Sequence, residues 1–252
     1  MRRALRIVGA VAVTVVMAAA FHDITSGSSN PTIGATPHDP LTPSPSAPAS
    51  SRDPSAALLA GLIVSDSDVG PTLTVAGLPG GNGLTQPTLD LCNGTFPSEA
   101  MRTARLQVAA VDRQGETMLS TEAVLYSSGA GAAAAFSELK ATAAACPSGP
   151  VDSPVGLPAV STHFDPAPDG AWPQVASVER LAFSFVTTSA SGETSHSVAV
   201  YLRRGRALLG VYFSRPDTSS AVVEGRTALP DIVTVFANRL AKLPVAAIST
   251  TA

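Results

Sequence analysis

The chain has 252 residues, with 16 lysines and arginines, 19 aspartates and glutamates, and a formal net charge of −3. Three of the basic residues lie among the first six, which leaves 13 basic against 19 acidic residues in the remainder. This mild acidic excess excludes the basic character of nucleic-acid-binding proteins and gives no reason to expect anionic lipid as a partner.

The first 20 residues are typical of a secretory signal peptide. A basic start precedes an apolar run from Ile7 to Phe21, and Ala18 and Ala20 suit the −3 and −1 positions of a cleavage site. The run is shorter than the ~20 residues that span a bilayer comfortably. We therefore expect cleavage after Ala20. An uncleaved signal anchor is the alternative, and this segment would then be the membrane contact.

Residues 21–55 are rich in serine, threonine and proline and poor in bulky apolar side chains. Such a segment buries too little surface to offset its ordering entropy, so we expect a disordered tether. By size, residues 56–245 form one extracytoplasmic domain, and residues 246–252 form a flexible tail.

The first half of the domain contains two predicted strands and a helix. Leu106–Val111 and Thr117–Ser127 are rich in strand-forming residues, with a hairpin turn at Arg113–Glu116. Residues 130–146 are alanine-rich and end before Pro147, which stops the helix. Their helical spacing produces one apolar stripe: Phe136, Leu139, Ala143 and Cys146.

Four predicted strands and a second long helix follow. The strands are residues 159–164, 178–188, 197–202 and 207–214, and the last three form an antiparallel meander with short turns. The helix runs from Pro230, a residue suited to the first helical turn, to about Leu243. We predict a two-layer α+β fold, with both amphipathic helices packed on one face of an antiparallel sheet.

Cys92 and Cys146 are the only cysteines. In an exported protein, a single pair predicts one structural disulfide. The alternative is two free buried thiols, which are common in reducing compartments. We expect the disulfide, with Cys146 near the end of the first long helix.

The segments Leu89–Glu99, Tyr126–Ala130 and Ala143–Pro147 resemble the actinobacterial secreted sensor-domain family, which includes the extracellular domain of the Ser/Thr kinase PknH. The resemblance covers residues 57–243. It implies an extracytoplasmic α+β domain that binds an unidentified ligand without catalysis. The kinase-linked members have a second cysteine pair, which this sequence lacks, and it contains no kinase domain. Signalling would therefore require a partner.

The proline-rich segment from Phe164 to Pro173 carries Trp172, the single tryptophan. Long irregular segments in compact domains are often functional. We therefore predict a ligand pocket on the sheet face near Trp172, Arg180 and Tyr201. In the alternative interpretation, Trp172 only covers the edge of the sheet.

Catalytic and metal sites receive little support. The domain has two histidines, His163 and His196, and the sequence has no Gly-x-Ser-x-Gly nucleophile elbow. Ser195 precedes His196, but neighbouring strand residues point to opposite faces, so proton transfer between them is disfavoured. Asp66 and Asp68 lie two residues apart, and so do His163 and Asp165. Neither pair has a third ligand at metal-site spacing. We expect no metal and no cofactor.

The basic turn Arg203–Arg206 has two interpretations. It is either a solvated hairpin tip or a contact for anionic envelope polymer. No aromatic residues interleave it, which further disfavours nucleic acid.

The sequence therefore predicts a non-enzymatic, extracytoplasmic ligand-binding or sensor-like module, secreted or held at the outer face of the membrane. Its partner would be a small molecule, an envelope polymer or a membrane protein. A cell-envelope serine hydrolase and a passive wall-associated or partner-docking protein are the alternatives.

We expect a secreting bacterial host to release a mature chain that begins at Phe21, because Ala18 and Ala20 present small side chains to the signal peptidase. Mass spectrometry of the exported protein measures this. Ala20→Arg should block cleavage and leave the protein with the membrane fraction. A full-length, membrane-retained wild-type chain would instead establish the anchor.

Overall fold

The computed structural model describes residues 54–153, 158–217 and 221–249. The expected signal peptide and nearly all of the expected tether lie outside these ranges. None of the described helices is long and apolar enough to cross a membrane. The elements in chain order are α1 (Pro54–Ala60), β1 (Thr74–Gly77), a 3₁₀ helix (Pro97–Met101), β2 (Arg102–Val111), β3 (Thr117–Tyr126), α2 (Gly129–Ala145), β4 (Val160–Phe164), β5 (Glu179–Ser189), β6 (Thr194–Arg204), β7 (Ala207–Ser214), α3 (Leu229–Ala241) and α4 (Val245–Ile248).

The strands form one seven-stranded antiparallel sheet in the order β1-β2-β3-β7-β6-β5-β4. Tight turns connect β2 to β3, β5 to β6 and β6 to β7, as the spacing of these strands in the sequence predicts. The central pairing joins β3 to β7, with Glu122 opposite Gly210. This pairing connects the N-terminal hairpin to the C-terminal meander. The α+β class and the antiparallel sheet are confirmed.

Helices cover both faces of the sheet, which differs from the two-layer arrangement with both long helices on one face. Val200 and Leu202 of β6 pack with α1 and α3, whereas Ala199 and Tyr201 pack with α2. The reason is the burial of the central strands, since every residue of β7 from Ala207 to Phe213 is buried. A strand that is buried on both faces needs a cover on each side. We call the two sides the α3 face and the α2 face.

The basic turn between β6 and β7 fastens the C-terminal helices to the sheet. Arg204 donates to the carbonyls of Leu240 and Leu243, at 3.2 and 2.6 Å, and so satisfies carbonyls at the end of α3. Arg206 donates to the carbonyl of Ala247 in α4 at 3.0 Å. Ile248 is buried. The expected tail therefore contributes to the fold as far as residue 248.

Cys92 and Cys146 form the disulfide, with their Cα atoms 6.0 Å apart. Cys146 is the C-cap of α2, and Cys92 lies in the long loop before the 3₁₀ helix. The bond thus holds this loop against the end of α2 on the α2 face. The predicted disulfide is confirmed.

Reduction should destabilise the domain, because the bond closes a segment with a sequence separation of 54 residues. The chain-entropy model puts the stabilisation at roughly 4 kcal/mol. We expect dithiothreitol to lower the melting temperature of the wild type, as measured by calorimetry. The double variant Cys92→Ser, Cys146→Ser should melt at the same lowered temperature with or without reductant. An unchanged wild-type melt after complete reduction would contradict this expectation.

Candidate functional site

The three residues predicted to line a pocket do not share one surface. Arg180 pairs with Leu202, and both lie on the α3 face, where Trp172 packs against the core. Tyr201 belongs to the α2 face and is 2% exposed. The structure therefore brings Trp172 and Arg180 together and separates both from Tyr201.

Arg180 holds the proline-rich loop in place. Its Nε donates to the Asp169 carboxylate at 2.8 Å, and its terminal nitrogens donate to the carbonyls of Asp169, Trp172 and Pro173. The guanidinium carbon lies 5.6 Å from the centre of the Trp172 ring, within cation–π range. These contacts occupy the guanidinium, so Arg180 stabilises the loop and Trp172 covers the sheet.

The α2 face carries a continuous row of aromatic side chains across β4 to β7. Neighbouring ring centres lie 5.7 to 6.2 Å apart, with tilted or edge-to-face orientations that favour attraction between rings. We call this set the aromatic row: Phe164, Phe183, Phe185, Tyr201 and Tyr212. Tyr201 and Tyr212 are buried, whereas Phe164 and Phe183 are only partly buried. The row therefore connects the interior to the outer strands of the sheet.

Asp90 lies in the loop that covers the buried end of the row. Its neighbours Leu89 and Leu91 pack into the same core as Tyr201, and burial, followed by the charge of Asp90, raises the pKa of Tyr201. Burial, followed by the charge of Glu99, raises the pKa of the Asp90 carboxyl to about 6. A largely buried carboxyl with a displaced pKa is a frequent sign of a functional site.

A buried ion pair lies beneath this loop. Arg105 and Glu122 form a salt bridge with both side chains 2% exposed, and the hydroxyl of Tyr212 lies 3.5 Å from the second Glu122 oxygen. Burial raises the pKa of Glu122, and the positive charge of Arg105 opposes that rise. Because both partners are desolvated, removal of either one would leave an uncompensated buried charge.

Charged side chains also hold the backbone of the loop itself. Arg102 donates to the carbonyls of Leu84 and Gln86, at 2.7 and 2.8 Å. Glu99 accepts the backbone N–H groups of Thr88 and Leu89, at 2.9 and 3.0 Å. These bonds satisfy backbone groups that the irregular loop cannot pair internally. Asp90 is therefore presented from a fixed backbone.

A serine, a histidine and an aspartate meet on the α3 face. Ser184 Oγ lies 2.8 Å from His196 Nε2, and His196 Nδ1 bonds to the Asp217 carboxylate. Asp165 adds a second carboxylate, with its Oδ2 3.2 Å from Ser184 Oγ. Ser195 lies on the other face, as strand alternation predicts. Ser184 was not among the predicted site residues, because this serine reaches His196 across the β5–β6 hairpin. The register set by the turn at residues 190–193 is the signal that could have found it.

The acidic pair Asp66 and Asp68 has structural partners. Asp68 accepts from Ser65 N at 2.7 Å and pairs with Arg239 at 2.6 Å, while Asp66 accepts from Val75 N. Hydrogen bonds with Arg239 and Ser65 hold the pKa of Asp68 below its usual value despite partial burial. Within the part of the chain that the structure describes, no group of three or more histidine, cysteine or acidic residues is arranged to hold a metal ion.

The Asp90→Asn variant should be more stable than the wild type at neutral pH. The folded-state pKa of Asp90 is about 6, above its unfolded value of 3.8, so ionisation destabilises the fold as the pH rises between these values. The shift corresponds to about 3 kcal/mol at most. Urea denaturation should give equal free energies of unfolding near pH 3.5 and a higher value for the variant above pH 6.5. The exposed control Asp152→Asn should follow the wild type. Parallel wild-type and Asp90→Asn curves would contradict the prediction.

Comparisons with known proteins give little further information. No family model and no curated protein matches the chain. Among solved structures, the chain is similar to the extracellular domain of PknH from Mycobacterium tuberculosis, with 11% sequence identity and a TM-score of 0.41. The match covers 73% of this chain and 95% of that one. This likeness is too weak to assign a fold or a function.

Proposed function

We propose that this chain is an extracytoplasmic, sensor-like module that binds its ligand, without catalysis at that site, at the outer end of the aromatic row. The single observation that carries this proposal is the row itself, which runs from the buried Tyr212 to the partly exposed Phe183 and Phe164. Aromatic rings at a partly exposed site can contact the apolar faces of a ligand.

Two independent features support the proposed compartment. The disulfide between Cys92 and Cys146 is of a kind that persists in oxidising environments outside the cytoplasm. The sequence of residues 1–20 is typical of an export signal. Both support a domain that acts outside the membrane.

Packing on the α2 face supports the position of the ligand. Helix α2 packs more closely against β3, β6 and β7 than against the outer strands β4 and β5. Phe164, Leu181 and Phe183 on these strands remain partly buried. These features suit a small molecule, or a segment of envelope polymer, with an apolar face.

A cell-envelope serine hydrolase is the second candidate, and it is favoured by the arrangement of Ser184 and His196. That arrangement lies on the α3 face and is independent of the aromatic row.

The passive docking alternative receives less support from the basic turn. Its Arg204 and Arg206 donate hydrogen bonds to helix carbonyls. This engagement removes the strongest sequence feature for contact with an anionic polymer.

A fluorescence reporter at the row should detect the ligand. In a Phe183→Trp, Trp172→Phe protein, we expect the emission of the new tryptophan to change during a screen of peptidoglycan fragments, glycans and lipids. Trp172 lies on the opposite face, so the wild-type emission should stay nearly constant with the same compound. A response from Trp172 alone would place the ligand at the proline-rich loop and contradict the proposed site.

Affinity measurements then test the individual contacts. Calorimetry with the compound identified in the screen should show at least tenfold weaker binding for Phe183→Ala and for Phe164→Ala, because these two rings form the partly exposed end of the row. Val245→Ala is the matched control, because Val245 is an apolar side chain 67% exposed in α4. Equal loss in all three variants, or in none, would count against the aromatic row.

A further inference from the structure

We propose that Ser184, His196 and Asp217 form a nucleophilic site on the α3 face that hydrolyses short-chain carboxylic esters. This activity goes beyond ligand binding at the aromatic row. The two proposals rest on residues from opposite faces of the sheet, so either can fail without the other.

The three side chains have the connectivity that nucleophilic catalysis requires. Ser184 Oγ lies 2.8 Å from His196 Nε2, within hydrogen-bond range. The other ring nitrogen, Nδ1, bonds to the Asp217 carboxylate, which selects the tautomer with the proton on Nδ1. In that tautomer, Nε2 is free to accept the proton of the serine hydroxyl.

The strands fix the nucleophile and the base relative to each other. Ser184 pairs with Val198, and His196 pairs with Val186, so the two side chains occupy diagonal positions on one face of the β5–β6 ladder. The backbone N–H of Arg215 donates to the His196 carbonyl at 3.1 Å. This bond connects the segment that carries Asp217 directly to β6.

Asp165 is a fourth member of the cluster. Its Oδ2 lies 3.2 Å from Ser184 Oγ, compared with 2.8 Å for His196 Nε2, so the histidine is the nearer acceptor of the single hydroxyl proton. The same carboxylate oxygen lies 4.0 Å from His196 Nε2. When the ring accepts a proton, this negative charge stabilises the resulting imidazolium.

The reaction is a two-step acyl transfer. Ser184 Oγ attacks the ester carbonyl, and its proton moves to His196 Nε2. The carbon–oxygen bond to the alcohol breaks, and His196 returns the proton to the departing alkoxide, which leaves an acyl-serine. A water molecule then attacks the acyl carbon with His196 as its base. The serine recovers the proton, and a carboxylic acid is released.

Accessibility defines the substrate class. Ser184 is 7% exposed, whereas the side chains of His196 and Asp217 are 27% and 66% exposed. A small acyl group can approach Ser184 past these side chains more easily than a long or branched one. Esters are favoured over amides because an alkoxide is a better leaving group than an amide anion. The probe is therefore p-nitrophenyl acetate.

The test measures p-nitrophenyl acetate hydrolysis together with covalent labelling by a fluorophosphonate, read by intact mass. We expect wild-type protein to gain one label on Ser184, and Ser184→Ala to lose the label and at least about 100-fold in kcat/KM. Ser195→Ala is the matched control, because Ser195 has the same 7% exposure but lies on the other face, where its hydroxyl has no hydrogen-bond partner among the described residues. It should retain both signals.

His196→Gln should match the loss in Ser184→Ala. Asp217→Asn tests positioning, and it should lower kcat at least tenfold with little change in KM, because Asp217 orients the ring without contacting the ester. Asp217 is exposed, so its substitution should leave the melting temperature unchanged. No labelling of wild-type protein, labelling that persists in Ser184→Ala, or a Ser195→Ala loss equal to that of Ser184→Ala would overturn the proposal.

Discussion

The pairing of β3 with β7 is the constraint on which the rest of the structure depends. It joins two hairpin systems that are separated by α2 and the proline-rich segment, and its register places Glu122 opposite Gly210. Gly210 has no side chain, so the Tyr212 ring can lie over it. A Cβ at Gly210 would lie 2.3 Å from the Tyr212 hydroxyl oxygen. The buried ion pair and the inner end of the aromatic row therefore follow from this one register.

Because this pairing places two almost wholly buried strands at the centre of the sheet, both faces need a cover, and the covers differ. The α3 face is packed by helices and by the proline-rich loop, whereas the α2 face is packed by α2 and the loop fastened by the disulfide. Because both faces are covered at the centre of the sheet, its partly exposed side chains lie near the outer strands and the strand ends. Both the outer aromatic rings and the Ser184 cluster involve β5, the neighbour of the edge strand β4.

Arginines perform a recurring task in this domain. Arg102, Arg105 and Arg180 donate to carbonyls of irregular loops, and Arg204 and Arg206 donate to carbonyls at the C-terminal helices. Long loops in a compact domain leave backbone acceptors without ladder partners, and the guanidinium fork satisfies several acceptors at once. This explains why the basic residues that looked like ligand contacts in the sequence have mainly structural partners here.

Local patterns in the sequence predicted β2 to β7, the two long helices, the alternation of β5 and β6, and the disulfide, because each depends on neighbouring residues or on the single available cysteine pair. The short strand β1 and the helix α4 were not predicted. Three other features depend on strand register and layer order. They are the separation of Tyr201 from Trp172 and Arg180, the division of the helices between two faces, and the approach of Ser184 to His196. Those properties are set by contacts between residues distant in sequence, such as Glu122 and Gly210, which no local pattern encodes. Only the tertiary structure could decide them.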